Sequence, residues 1–410
     1  MKLSFKTILS IFLAATLLLQ QIGMTTAASA ASSYSVSSKA LFNNPYGTTK
    51  QKRAIIDQVK KAIIHTPKYS VIRIAVYSIT LPDLTKALVD AHNKKVVVQI
   101  VTDDHLYEIE DRDDRVEMTA QLTKLKSALG TKVSKDKSFI KICNNGCMSN
   151  SKYSSVHTKL YMFSTTGKTK RVTMIGSSNL SNTHTNSWNN MYVAAGDIDV
   201  YETMKAYFEA MAQEPNGGEW YENTLSSTGR RVYTFPHATV DDNSEDIYWS
   251  LLNKVKCTGV ASGYGYKGKT VIKAAMFKST DARIEAAKKL RSLASQGCVV
   301  KMAITNSAYD DKVRSELLGG NEIQIVNMEK NKVDGHYVNY LHHKYLTIHG
   351  NYDGDSSASI VFTGSSNLTS TSIETNNEVM LRLETKAAHA AYGANFSKMW
   401  SLGKRMYDTN

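Results

Sequence analysis

"HTKLYMFSTTG" runs from His157 to Gly167, and "HHKYLTIHG" runs from His342 to Gly350. Each sets a histidine two residues ahead of a lysine, in a stretch whose apolar and aromatic content reads as a buried strand. Ionisable groups are costly to bury without partners, so a chain that does this twice needs a reason. Side chains two apart on a strand share a face. His157 therefore projects with Lys159, while Thr158 and Leu160 turn away. The same parity joins His342 to Lys344 and sends His343 to the opposite face, as a structural residue.

Upstream of each segment lies the same supersecondary pattern. "YSVIRIAVYS" (Tyr69–Ser78) reads as a buried strand, "LPDLTKALVDAHNKK" has apolar residues at helical spacing with Pro82 in its first turn, and "VVVQIVTDD" (Val96–Asp104) reads as a second strand. "KTVIKAAMFK", "DARIEAAKKLRSLASQG" and "CVVKMAITNS" repeat that order, with Gly297 where the helix should stop. Strand, helix and strand with short connections make a βαβ unit, hence a parallel or mixed sheet covered by helices. Downstream, "GSSNL" occurs twice, at Gly176–Leu180 and Gly364–Leu368, each time after a strand ("RVTMI" and "SIVFT"). The same ordered set appearing twice is an internal duplication. The amphipathic stretches "YETMKAYFEAMAQ" and "AHAAYGANFSKMWSL" close the two copies, and the Gly/Pro-punctuated region from Glu214 to Asp246 is the expected join. This gives a signal segment at 1–30, a first half at 31–225 and a second half at 226–410, packed so that matching edges meet at one pseudo-symmetric cleft.

The cleft would then hold two histidines, two lysines, two asparagines and several serines. Glycine and serine at a strand end let backbone and hydroxyl donors approach an anion, which assigns Ser177, Ser178, Ser365 and Ser366 to substrate contact. An oxyanion with three or more oxygens, phosphate, fits this set. One neutral imidazole can attack phosphorus while a second, protonated one gives its proton to the leaving oxygen, and lysines and asparagines hold the remaining oxygens. The arrangement calls for no metal and no cofactor.

In its paired His-x-Lys and GS-x-N motifs the sequence resembles the phospholipase D superfamily over essentially the whole chain after the first 30 residues, and looks closest to its secreted bacterial branch. The resemblance implies an α/β fold of two duplicated α/β/α sandwich halves around one shared active site, and phosphodiester hydrolysis or transfer through a phosphohistidine. By motif position it assigns His157, Lys159 and Asn179 in one half and His342, Lys344 and Asn367 in the other. The family also places an acidic residue after each GS-x-N, orienting a histidine across the interface. Glu378 fits in the second copy; the same fourteen-residue count from Gly176 reaches Asn190, so a carboxylate is missing from the first. The implied roles are Glu378 orienting His157 as nucleophile, and His342 as general acid with Asn190 beside it. The aspartate that many members carry five residues after the lysine is replaced by Ser164 and His349.

Lys2 and Lys6 ahead of the apolar run Ile8–Leu19, followed by "ASA" at Ala28–Ala30, form a secretory signal pattern too short to span a bilayer. The expectation is a secreted monomer. The formal net charge is +13, which favours anionic partners. Four cysteines in an exported chain favour disulfides over a zinc half-site and allow three pairings, one of which has "CNNGC" closing a short turn (Cys143 with Cys147) and leaves Cys257 for Cys298. "DDHLYEIEDRDDR" (Asp103–Arg115) lacks the ligand spacing of a calcium loop and reads as a solvated helix. His184, His336 and His349 lack the His-x-Lys context. The substrate expected is a phospholipid headgroup ester, with peripheral membrane contact. The alternatives are a metal-independent nuclease acting on nucleic acid and a non-catalytic phosphate-binding or wall-associated protein.

Overall fold

The computed structural model describes residues 33–104, 113–149, 151–213, 220, 222–237, 246–320 and 322–406. The signal pattern at 1–30, most of the Asp103–Arg115 run and part of the join region lie outside these.

The first sheet has seven strands: β1 (Lys39–Phe42), β2 (Val71–Val76), β3 (Val97–Asp103), β4 (Phe139–Cys143), β5 (Lys159–Thr166), β6 (Thr169–Gly176) and β7 (Asn190–Ala195), ordered β1-β7-β6-β5-β2-β3-β4. The three apolar strands β2, β3 and β4 are parallel. The helix Pro82–Asn93 makes the crossover from β2 to β3, with Pro82 opening its first turn, where a missing N–H leaves no bond unmade.

The second sheet repeats this design. Its strands are β8 (Glu222–Leu225), β9 (Arg231–Phe235), β10 (Val255–Lys256), β11 (Val271–Met276), β12 (Val299–Ile304), β13 (Ile323–Asn327), then after a separate hairpin of β14 (Lys330–Val333) and β15 (His336–Asn339), β16 (Lys344–Tyr352), β17 (Asp355–Gly364), β18 (Glu378–Leu383) and β19 (Lys404–Met406). The main order is β19-β13-β12-β11-β16-β17-β18-β9-β8, and β10 pairs with β16. The duplication holds to the register: Val76 pairs with Lys159 and Met276 with Lys344, while Gly176 pairs with Met191 and Gly364 with Met380. Helix Ile284–Ser295 follows β11, and Gly297, at φ +92°, takes the left-handed conformation just beyond its end. Because β8 pairs with β9, the second sheet begins before the expected boundary at 225/226. That boundary falls inside a hairpin whose polar "SSTGR" turn marks no domain edge.

Side-chain alternation sorts each sheet into two faces. On β2, Ile72, Ile74 and Val76 join the outer core under the helices Ala54–Ile64 and Pro82–Asn93, whereas Ala75 joins a central core. On β11, Ile272, Ala274 and Met276 face outward and Ala275 inward. The central core also takes residues of helices Ile198–Gln213 and Lys386–Leu402, the closing helices of the two halves. Cys143 is bonded to Cys147 and Cys257 to Cys298. Among the described residues no helix is long and apolar enough to cross a membrane.

Candidate active site

Where the halves meet, the chain just ahead of each His-x-Lys lies against the start of the other half's last core strand. Trp188 N–H donates to the Tyr340 carbonyl, and His342 N–H to that of Trp188, both at 2.9 Å. Asn377 N–H donates to the Ser155 carbonyl at 2.9 Å, and Thr158 Oγ1 to that of Asn377 at 2.8 Å. Each histidine is therefore oriented by a residue of the opposite half. Nδ1 of His157 lies 2.7 Å from Oε1 of Glu378, and Nδ1 of His342 lies 2.9 Å from Oδ1 of Asn189. In the neutral rings these contacts place the proton on Nδ1 and leave Nε2 for chemistry.

Asn189, not Asn190, is thus the counterpart of Glu378. Both stand two residues before the strand partner of their glycine, Met191 or Met380. The span from Gly176 to its partner Met191 is one residue shorter than that from Gly364 to Met380, so equal counting from the two glycines slips by one. Asn189 is locked with its NH2 toward the carbonyls of His184 and Ser187, which fixes Oδ1 on His342. Asn190 serves His343 instead: Oδ1 lies 2.9 Å from His343 Nδ1, and Nδ2 donates to Thr363 Oγ1. His343 is buried with Phe42 and Tyr345 around it, away from the cleft as strand parity requires.

The lysines are buried, each Nζ donating to the carbonyl of the histidine two residues before it. Tyr77 and Phe277, just past β2 and β11, form matching walls: Lys159 Nζ lies 5.4 Å from the Tyr77 ring centre and Lys344 Nζ 4.8 Å from that of Phe277. Asn179 and Asn367 follow the glycine turns and are buried. The four serines are buried too, and their hydroxyls are engaged. Ser177 donates to Asn189 Oδ1 at 2.9 Å and Ser365 accepts the Val379 amide at 3.1 Å, while Ser178 and Ser366 bond the carbonyls of Asn179 and Asn367. Ser177 and Ser365 thus brace the residues that orient the histidines.

Two further groups belong to the site. Asp103, at the end of β3, accepts the Val156 amide at 2.5 Å and raises the pKa of Lys159 by its charge. Its counterpart, Thr305, accepts the Leu341 amide at 3.1 Å without charge. His184 occupies the place of Ser372 in the second half. Its Nδ1 accepts the Asn179 amide at 2.7 Å, as Ser372 Oγ accepts that of Asn367 at 3.3 Å, and its ring centre is 4.4 Å from that of His342. With Nδ1 accepting, the neutral ring carries its proton on Nε2, 3.3 Å from the Asn179 side-chain terminus. A ring N–H needs an acceptor, which orients the carboxamide with oxygen on His184 and NH2 free for the cleft. Neither group carries a motif, and only the duplicated frame, with His184 set against Ser372 at the same offset, would have pointed to one of them. Ser164 caps the Val71 amide and His349 takes the Gly265 amide at the far end of the sheet, so neither reaches the cleft.

The charges are unequal between halves. Burial pushes His157 down to about 4, against the raising effect of Glu378. Burial likewise brings Lys159 to about 7, with Glu378 and Asp103 opposing. His342 and Lys344 fall well below their ordinary values through burial and neighbouring cations, and His184 does the same. Glu378 is held low despite burial, chiefly by His157 and Lys159. His157 keeps 16% of its side chain exposed, whereas His342 is buried. Among the described residues no group of three or more histidines, cysteines or carboxylates is arranged to hold a metal ion.

A duplicated α/β chain with paired, cross-oriented histidines and buried lysines is the design of a phosphodiester-active enzyme. The family model described as cardiolipin synthase, PLD-like domain, matches residues 59–212 and 267–400, and the chain belongs to that family, within the phospholipase D superfamily. Nothing matches among curated proteins. Among solved structures, phosphatidylserine synthase of Haemophilus influenzae Rd KW20 is 10% identical with a TM-score of 0.57, the match covering 90% of this chain and 87% of that one. Polyphosphate kinase of Porphyromonas gingivalis is 10% identical with a TM-score of 0.54, covering 89% of this chain and 50% of that one, so this chain spans half the kinase's length. At these identities the likeness is one of fold.

Proposed function

We propose that the protein is a secreted phosphodiesterase of phospholipase D type that hydrolyses phospholipid headgroup esters through a phosphohistidine on His157. The observation that carries the chemistry is the crossed pair, His157 on Glu378 and His342 on Asn189, beside both lysines. Nε2 of His157 attacks phosphorus as the bond to the headgroup oxygen breaks, and His342 Nε2–H gives that oxygen its proton. Glu378 stabilises the charge that His157 gains. Water then attacks the phosphohistidine, His342 takes its proton, and the P–N bond breaks. Burial and neighbouring cations hold the His342 pKa low, and the charge of the substrate phosphate beside it favours the imidazolium that gives this proton. Lys159, Lys344, Asn179 and Asn367 hold the non-bridging oxygens. The family description, cardiolipin synthase-type, favours a lipid substrate, and the basic charge suits an anionic bilayer.

The test offers phosphatidylcholine vesicles and single- and double-stranded DNA, in EDTA, to the protein and its His157→Ala and His342→Ala variants. Choline turnover that vanishes with either variant, and an alkali-stable, acid-labile label trapped on His157 in His342→Ala with no more than one choline released per enzyme, is the expected result. DNA cleavage alone would make the enzyme a nuclease, and label on His342 would reverse the two roles.

A further inference from the structure

The inner face of the second sheet carries a second group of basic side chains at the end remote from the cleft. His349 pairs with Val271 and Lys344 with Met276. Five residues of strand, roughly 17 Å at about 3.3 Å each, therefore separate this region from the active site. A cavity of about 570 Å³ opens there, lined by Lys273, Lys301, Gln324, Thr347, His349 and His389 among others. Thr347, Lys273, Lys301 and Gln324 form one register row across four adjacent strands. Helix Lys386–Leu402 closes the other side with His389, whose ring stacks on that of His349 at 4.7 Å. Lys273 Nζ lies 5.7 Å from the Phe396 ring centre, and Lys301 Nζ 5.1 Å from that of Trp400. His349 Nδ1 accepts the Gly265 amide at 3.0 Å, which makes Nε2 a donor.

The first half shows what this location looks like when closed. Arg73 and Gln99, paired as Lys273 and Lys301 are, stand at the matching positions. Arg73 faces Glu209 at 3.6 Å and Tyr201, and Gln99 is capped by the carbonyls of Ser134, Lys135 and Lys137. Ser164 stands where the second half has His349. In the second half four basic groups converge, and among the described residues none of them has a carboxylate partner. Burial and mutual repulsion push Lys273 and His349 down, and bring His389 to about 4. An anion would relieve both effects at once.

We propose that this cavity is a second, non-catalytic site for a phosphate group bearing at least two ionised oxygens. Two lysines on neighbouring strands, about 4.8 Å apart, with two imidazole donors above them match several oxygens on one centre better than a single carboxylate. The volume exceeds that of a bare phosphate, and Val271, Val299 and Tyr266 give an apolar wall for what is attached. The phosphate belongs either to a soluble ester or oligophosphate or to a lipid headgroup.

Histidine-labelled protein titrated with inorganic pyrophosphate reads the site locally, through the NMR signals of His349 and His389. Co-sedimentation with phosphatidic acid vesicles, whose headgroup phosphate is a monoester, reads the lipid source. Both are repeated with Lys273→Gln/Lys301→Gln and with His349→Ser, the latter restoring the first half's residue. A pyrophosphate shift weakened at least ten-fold in both variants supports the site with a soluble ligand. Sedimentation lost in both variants, without a pyrophosphate shift, supports it with a headgroup. Responses unchanged in the variants, or absent from the unaltered protein, overturn it. Neither readout uses turnover, so failure of the phosphodiesterase reading leaves this test standing.

Discussion

Replacing Glu378 by glutamine would keep an acceptor on His157 Nδ1 while removing a buried charge. That charge raises the pKa of both His157 and Lys159, so its loss lowers both. His157, already near 4, stays in the neutral, nucleophilic form at pH 7. Lys159 needs its proton to hold phosphate oxygens and loses it as pH rises through about 7. In Glu378→Gln the falling limb of kcat/KM should therefore begin below pH 7, with a loss of about 10²-fold or more at neutral pH and a smaller one near pH 5.5. A kcat/KM profile from pH 4 to 9 with its falling limb unmoved would refute this. His184 is a positioning residue: His184→Ala should lower kcat/KM about ten-fold, the worth of one hydrogen bond of roughly 1.4 kcal/mol, and His184→Ser, which copies Ser372, should recover part of it. Equal loss in the two variants would place His184 outside that role. The histidines, lysines, asparagines and Glu378 were legible because they sit in motifs whose spacing the strands enforce. Asn189 stands one residue off the count because the two glycines pair with partners 15 and 16 residues on, a difference of register that the sequence does not display. Asp103 and His184 reach the site from a strand end and a short helix, which only the tertiary fold brings there.

At the scale of elements, the two GSSN turns depend on a close approach that only glycine allows. A Cβ on Gly364 would lie 2.0 Å from the Val379 carbonyl oxygen and 2.8 Å from Met380 Cα; on Gly176 it would meet the Asn190 oxygen at 2.2 Å. Both contacts are backbone, so β18 or β7 would have to shift, carrying Glu378 or Asn189 with it. Gly364→Ala should destabilise by about 1–3 kcal/mol and also weaken activity, because the shifted strand orients His157. Gly393, in helix Lys386–Leu402, has nothing within 4 Å of its Cβ position. Gly393→Ala should therefore stabilise by about 0.5–1 kcal/mol. Urea unfolding of the two variants measures both signs, and a neutral Gly364→Ala would show that the strands have slack. The βαβ units and closing helices were readable from periodicity. The place of the β8–β9 hairpin beside β18 is not legible in the sequence, because pairing between distant strands leaves no local pattern.

The whole molecule is a duplication made unequal, and its disulfides differ as its charges do. Cys257 and Cys298 are 41 residues apart and join the end of β10 to the start of β12 in the outer core of the second half. Cys143 and Cys147 are four apart and close a turn at the interface. Chain-entropy arguments give about 4 kcal/mol for the longer loop and about 2 kcal/mol for the shorter. Activity should rank them the other way. The Cys147 amide donates to Asn377 Oδ1 at 2.9 Å, and the Asn377 backbone crosses to Ser155 and Thr158, one residue before Glu378. The short turn therefore braces the strand start that aims Glu378 at His157. Cys257→Ser/Cys298→Ser should lose more unfolding free energy yet keep kcat/KM within about three-fold, since that bond sits at the end of the sheet remote from the cleft. Cys143→Ser/Cys147→Ser should lose less stability and about ten-fold or more in kcat/KM, because a loosened Glu378 no longer fixes one tautomer of His157. Urea unfolding beside initial rates at pH 6 separates the two effects. If both double variants lose activity only in proportion to their stability, the two bonds share one structural role and the short turn does not transmit order to the catalytic histidine.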